Sequence, residues 1–129
     1  MRWTIALAAL LAAIPATAQD VTIDSAVYRE RVDDGGTRIE PADRLARGDR
    51  VVTILSWDAP SQRGSYTVTS AVPAGLALQS ASHPGVEVST DGGRTWRRLT
   101  DPDTVPRDTT HLRWRVGGEG RLSYRAVVR

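Results

Sequence analysis

The segment Ser89–Trp96, STDGGRTW, contains the residue types of a ligand-binding or catalytic loop. It offers a carboxylate between two hydroxyl side chains, with two glycines and a closing tryptophan. However, Asp-Gly between apolar runs is also a strong signal for a β-hairpin, and an aspartate carboxylate readily accepts hydrogen bonds from turn amides. We therefore interpret the segment as a structural turn formed by Ser89, Asp91, Gly93, Thr95 and Trp96.

Histidine chemistry has little support in the sequence. His83 lies in the turn-like SHPG, and His111 opens an apolar run. Neither occurs in a recognisable nucleophile context for a Ser-His-Asp triad, and two distant histidines do not have metal-ligand spacing. We predict that there are no catalytic, cofactor-binding or metal-binding residues.

Carboxylates give no clearer site. Asp101, Asp103 and Asp108 lie in DPDTVPRD, but their spacing is not that of a known calcium loop. No pair of carboxylates is singled out for glycoside hydrolysis. The tripeptide Arg47–Asp49 matches an integrin motif and is better explained as the turn before the strand at Val51.

Arginine is the one residue type that suggests binding, because it supplies every basic side chain. If HLRWRV and RLSYRAVV pair as a hairpin through GGEG, Arg113, Arg115 and Arg125 share the face opposite Trp114 and Tyr124. Guanidinium groups suit carboxylates, phosphates and sulfates, so this face could bind an anionic polysaccharide or an envelope protein. The alternative is a solvated strand face that discourages edge aggregation.

The elements that position these residues are short strands. In VVTILSW, Val51, Leu55 and Trp57 share one face, and Val52 and Ile54 the other. Such period-two alternation recurs between Gly, Pro and Asp turns, and no mature segment has a helical face. We predict an all-β, immunoglobulin-like antiparallel β-sandwich of about seven strands. The candidate strands lie near 21–24, 26–32, 50–57, 65–72, 85–89, 95–99, 111–116 and 121–128, one of them too short to count.

The first residues have the layout of a secretory signal peptide. Arg2 precedes an apolar run, and Ala16–Ala18 resembles a cleavage site. We expect a signal peptide at 1–18, a single domain at 19–129, and a periplasmic or extracellular location. The formal net charge of +2 is too small for a typical nucleic-acid binder, and we expect no membrane span in the mature chain.

The turn at Ser89–Trp96 resembles the Asp box, Ser-x-Asp-x-Gly-x-Thr-Trp, which is found on the hairpins of sialidases and other propellers. In those proteins the box is a structural turn that occurs in several copies away from the catalytic centre. This chain has one copy, so the resemblance implies a turn and not sialidase activity.

A longer resemblance spans roughly Ala46 to Val128. Its landmarks are Gly48-Asp49 before a strand, Val72–Leu76 at a strand end, Ser89–Trp96, and a tryptophan strand at Trp114 before a final strand. In this order they resemble a bacterial conserved repeat domain of unknown function. That resemblance implies an immunoglobulin-like sandwich in exported or surface proteins, without a known catalytic role.

Together these features predict an exported, non-enzymatic interaction or structural module of the bacterial cell envelope. The alternative is a carbohydrate-binding module or a small hydrolase that acts on envelope glycans. Trp57 discriminates between them, because beside Asp58 at a strand end it is either an exposed sugar platform or part of the core.

Overall fold

A computed structural model describes residues 22–58, 65–117 and 120–129. These residues form nine β-strands and no helix. The strands are β1 (Thr22–Asp33), β2 (Gly36–Pro41), β3 (Arg50–Asp58), β4 (Ser65–Ala71), β5 (Leu76–Ala81), β6 (Glu87–Ser89), β7 (Arg97–Arg98), β8 (His111–Gly117) and β9 (Gly120–Val128).

The strands form two antiparallel sheets. Sheet I has the order β2-β1-β3-β9-β5, and sheet II has the order β4-β8-β6-β7. Both contribute to a single apolar core, as a β-sandwich requires. The predicted all-β antiparallel sandwich is thus confirmed, with nine strands instead of about seven.

The core follows the alternation seen in the sequence. On β3, Val51, Leu55 and Trp57 are buried in the core. They face Trp114 and Leu112 of β8 and their neighbours in sheet II, which are also buried. Trp114 hydrogen-bonds from its indole nitrogen to the Ser82 carbonyl at 3.0 Å, so its one polar atom is satisfied inside the core.

Three strands of sheet I differ from the prediction. The segments 21–24 and 26–32 belong to one continuous strand, β1. Strand β2 was not predicted because it is short and Ile39 is its only large apolar residue. Strand β5 was not predicted because a bulge at Gln79 breaks its alternation: Leu76 and Leu78 are buried before the bulge and Ala81 after it.

The predicted hairpin between the last two strands is wrong. Strand β8 pairs with β4 and β6 in sheet II, whereas β9 pairs with β3 and β5 in sheet I. The chain therefore crosses from one sheet to the other between them. The signal-peptide prediction at 1–18 lies outside the described residues. Within those residues, no helix is long and apolar enough to cross a membrane.

Candidate binding surface

The turn at Ser89–Trp96 is organised by its own side chains. The Ser89 hydroxyl donates to the Asp91 carboxylate at 2.7 Å and accepts from the Gly93 amide at 2.8 Å. The Asp91 carboxylate also accepts the Thr95 amide at 3.0 Å and the Thr95 hydroxyl. Gly92 and Gly93 have φ of 81° and 91°, a region that favours glycine.

These hydrogen bonds stabilise the ionised form of the Asp91 carboxyl. The Thr95 side chain, then the Thr95 amide and the Ser89 hydroxyl, hold the pKa of Asp91 well below its usual value. The carboxylate therefore stays ionised and is occupied by the turn. The turn is also tied to the strand start at Thr110, whose amide donates to the Ser89 carbonyl at 2.8 Å.

The predicted hairpin around this turn forms, since β6 and β7 pair through Glu87–Arg98 and Val88–Arg97. Its return strand is only two residues long, shorter than the predicted 95–99. Thr95 therefore belongs to the turn and not to the strand.

Trp96, half-buried, closes the turn against β8. The His111 ring lies edge-on to it, with 6.4 Å between the ring centroids, and the Arg113 guanidinium lies 4.1 Å above the indole ring. The same guanidinium donates to both carboxylate oxygens of Glu87, at 3.0 and 3.2 Å. Arg113 thus has an aromatic partner and a carboxylate partner within the protein.

The predicted arginine face is not assembled. Arg113 and Arg115 lie on sheet II, whereas Arg125 lies on sheet I, because β8 and β9 do not pair. Arg125 donates to the Glu30 carboxylate at 3.2 Å, and Arg115 donates to the Ser65 hydroxyl at 3.1 Å. Two of the three guanidinium groups are therefore matched by a carboxylate of the chain itself.

The remaining sequence candidates take structural positions. The Asp101 carboxylate accepts the Asp103 amide at 3.0 Å within its own loop. The Asp49 carboxylate accepts the Ala46 amide at 2.8 Å, so the Arg47–Asp49 turn is held by it. Among the described residues, no group of three His, Asp or Glu side chains is placed to hold a metal ion.

Trp57 lies in the core. Its side chain is only 5% exposed, and its ring packs beside Gly120, its partner in β9. A Cβ built on Gly120 would lie 2.9 Å from the ring atom Cζ2, so a side chain at this position would force the ring or the strand to shift. Trp57 is therefore not the exposed sugar platform that the glycan-binding alternative required.

The outer face of sheet I carries a groove that the sequence reasoning did not predict. We call it the outer groove: it has a volume of about 280 Å³ and is lined by Asp24, Ala26, Tyr28, Ile39, Ile54, Ser56 and Arg121. Its floor is apolar and half-buried at Ala26, Tyr28 and Ile54. Asp24 and Arg121 place opposite charges in its lining.

Further apolar residues lie on the same face of sheet I. Val52, next to Tyr28 in the paired strands, is buried although it does not belong to the core between the sheets. Ile39, in the middle of β2, is 44% exposed, and Val32, nearer the β1–β2 turn, is 66% exposed. The sequence pattern that could have indicated the groove is Val52 and Ile54, which give β3 apolar residues on both faces. A strand whose outer face is also apolar is expected to be partly covered on that face.

The sequence matches no family model, no curated protein and no solved structure. The resemblance to the bacterial conserved repeat domain therefore stays a prediction.

Proposed function

We propose that the chain is an exported, non-enzymatic interaction module of the bacterial cell envelope that binds a protein partner through the outer groove. The observation that carries this proposal is a groove on the outer face of sheet I with an apolar floor and charged groups in its lining. An apolar centre with a polar rim is the usual arrangement of a protein interface.

The groove has the composition of a small interface. Ala26, Tyr28 and Ile54 provide an apolar centre on adjacent strands, and tyrosine is enriched at the centre of interfaces. Asp24 and Arg121 provide polar contacts that would orient a partner. Because β1 and β3 pair over nine residue pairs, the floor is a rigid platform that needs little ordering on binding.

We place the partner in the cell envelope because residues 1–18 have the layout of a signal peptide, which predicts export. The glycan alternative has less support. Trp57 is buried in the core, and the ring of Trp96 is already covered on one face by the Arg113 guanidinium.

The proposal can be tested with one substitution in the groove. Ile54→Arg places a charge on the groove floor, whereas Gln79→Arg places the same charge on an exposed position of the sheet I edge strand β5. Both variants and the natural chain are tagged, purified from a bacterial host and incubated with envelope extract. Purified peptidoglycan and lipopolysaccharide are tested in parallel.

We expect the natural chain and Gln79→Arg to retain the same envelope protein, and Ile54→Arg to lose it. Retention of that protein by Ile54→Arg would refute the groove as the binding site. Retention only by a glycan, competed by the soluble glycan, would replace the protein partner with an anionic polysaccharide.

A further inference from the structure

We propose that the free edge of β2 pairs with β2 of a second copy of this chain, which joins two sheets I into one continuous antiparallel sheet across a two-fold axis. This surface shares Ile39 with the lining of the outer groove, but it involves none of the groove floor and does not depend on the partner proposed for the groove. Strand β2 is an edge strand of sheet I, with β1 as its only neighbour among the described strands.

The hairpin geometry determines which backbone groups of β2 are available. Asp33 and Gly36 close the two-residue loop between β1 and β2, so they form a hydrogen-bonded pair, and such pairs alternate along the ladder. Arg38 and Glu40 are then bonded to β1. The N–H and C=O groups of Thr37 and Ile39 point away from the sheet, and so does the carbonyl of Pro41.

The side chains of β2 are complementary to a second β2 in one antiparallel register. With Ile39 opposite Ile39 of the second copy, each Arg38 lies opposite a Glu40. The two Ile39 residues exchange backbone hydrogen bonds, and Thr37 donates to the carbonyl of Pro41. Opposite charges directly across a strand pair stabilise it, whereas like charges destabilise it.

Glu40 is ionised and accessible, as a contact with Arg38 of a second copy requires. Its carboxylate already accepts from the guanidinium groups of Arg29, at 2.9 Å, and Arg31, at 2.6 Å, which keep it ionised. The side chain is still about one-third exposed, so it remains accessible to a third guanidinium. Arg38 is largely exposed and contacts only Asp33, at 3.3 Å, among the ion pairs of the described residues.

Burial of Ile39 supports the same register. Its side chain is 44% exposed on the outer face of sheet I, and in the dimer it packs against its symmetry mate. Pro41 has no N–H, so in this register the carbonyl of Thr37 in the second copy receives no hydrogen bond from it and the ladder ends at Pro41. Pro41 therefore restricts pairing to the short segment around Ile39.

The register is tested by charge exchange between two variants, measured by sedimentation velocity on the purified chain. Arg38→Glu places carboxylates opposite each other, and Glu40→Arg places guanidinium groups opposite each other. We expect each variant alone to dissociate about tenfold more readily than the natural dimer or worse. An equimolar mixture of the two restores opposite charges at both positions, and we expect it to form a heterodimer.

Two further variants separate dimerisation from folding. Glu40→Arg also removes the internal contacts to Arg29 and Arg31, so Ile39→Lys is the second test: it places two ammonium groups at the two-fold axis and leaves those contacts in place. Arg44→Glu makes the same charge change as Arg38→Glu at an exposed loop position and should not alter dimerisation. Circular dichroism checks the fold of each variant.

A natural chain that stays monomeric up to about 1 mM would overturn the proposal, because pairing weaker than that contributes almost nothing. A dimer that survives Ile39→Lys would overturn it as well, and so would a mixture that associates no better than its components. Ile54→Arg, the groove variant, is expected to dimerise normally, so a failure of this proposal is distinguishable from a failure of the proposed function.

Discussion

Tyr124 is expected to make the protein sensitive to alkaline pH. Its side chain is fully buried on β9, opposite Thr53 of β3, and neither hydroxyl has a hydrogen-bond partner among the described residues. Burial raises the pKa of Tyr124 to about 12.

The magnitude follows from linkage between ionisation and folding. An unfolded tyrosine has a pKa of about 10, and each unit of difference corresponds to about 1.4 kcal/mol. The unfolding free energy should therefore be unaffected by Tyr124 well below pH 10 and fall by about 2 kcal/mol as the pH rises to 12, where half of the folded tyrosine is ionised. The chain has no lysine and no cysteine, so those side chains do not titrate in the same range.

The assay is urea unfolding at pH 9 and pH 12 for the natural chain, Tyr124→Phe and the control Tyr28→Phe. The natural chain and the control should lose about 2 kcal/mol more than Tyr124→Phe between the two pH values. At pH 9, Tyr124→Phe should not lower the unfolding free energy, because it removes a buried hydroxyl without a hydrogen-bond partner. Equal pH losses in all three proteins would refute the reasoning.

Three further predictions concern the core and the turn. Gly120→Ala should lower the unfolding free energy by about 1–3 kcal/mol, because the new methyl group overlaps the Trp57 ring. Urea unfolding should show a smaller loss when the same substitution is made in the Trp57→Phe variant. An equal loss in both backgrounds would contradict this contact. Asp91→Asn should lower the thermal midpoint at pH 7. Because the folded Asp91 carboxyl has a pKa below its unfolded value, its stabilising effect is present above about pH 4 and is lost at lower pH, so the thermal midpoint of the variant should fall less on acidification than that of the natural chain. An equal fall in both proteins would contradict the role of Asp91 in the turn. Trp114→Phe should lower the unfolding free energy measured in urea by about 2–4 kcal/mol, because it leaves the Ser82 carbonyl without its donor and creates a cavity. A decrease below about 0.5 kcal/mol, the usual range for surface substitutions, would refute this prediction.

Local patterns in the sequence were sufficient to predict the fold class and most strands. Alternation predicted β3 and β4, and the Asp-Gly signal predicted the hairpin of β6 and β7. The Ser89–Trp96 turn was interpretable because its side chains bond to amides within a few residues. Such local contacts are encoded in adjacent positions.

The pairing of distant strands was not accessible in the same way. Strands β8 and β9 are adjacent in sequence and amphipathic, which fits a hairpin as well as it fits two strands in different sheets. The choice depends on β4 and β3, which lie far earlier in the chain. For this reason the arginine face was predicted wrongly, and the outer groove, which β1, β2, β3 and β9 build together, was missed.

The most direct test of the central claim is site-specific photo-crosslinking in the living bacterium, with the probe at Ile54 and, as a control, at Gln79. A groove that binds an envelope protein should give one adduct from the Ile54 probe and not from the Gln79 probe, with a mass different from that of two copies of the chain. The same adducts from both positions, or none from Ile54, would contradict the outer groove as the binding surface.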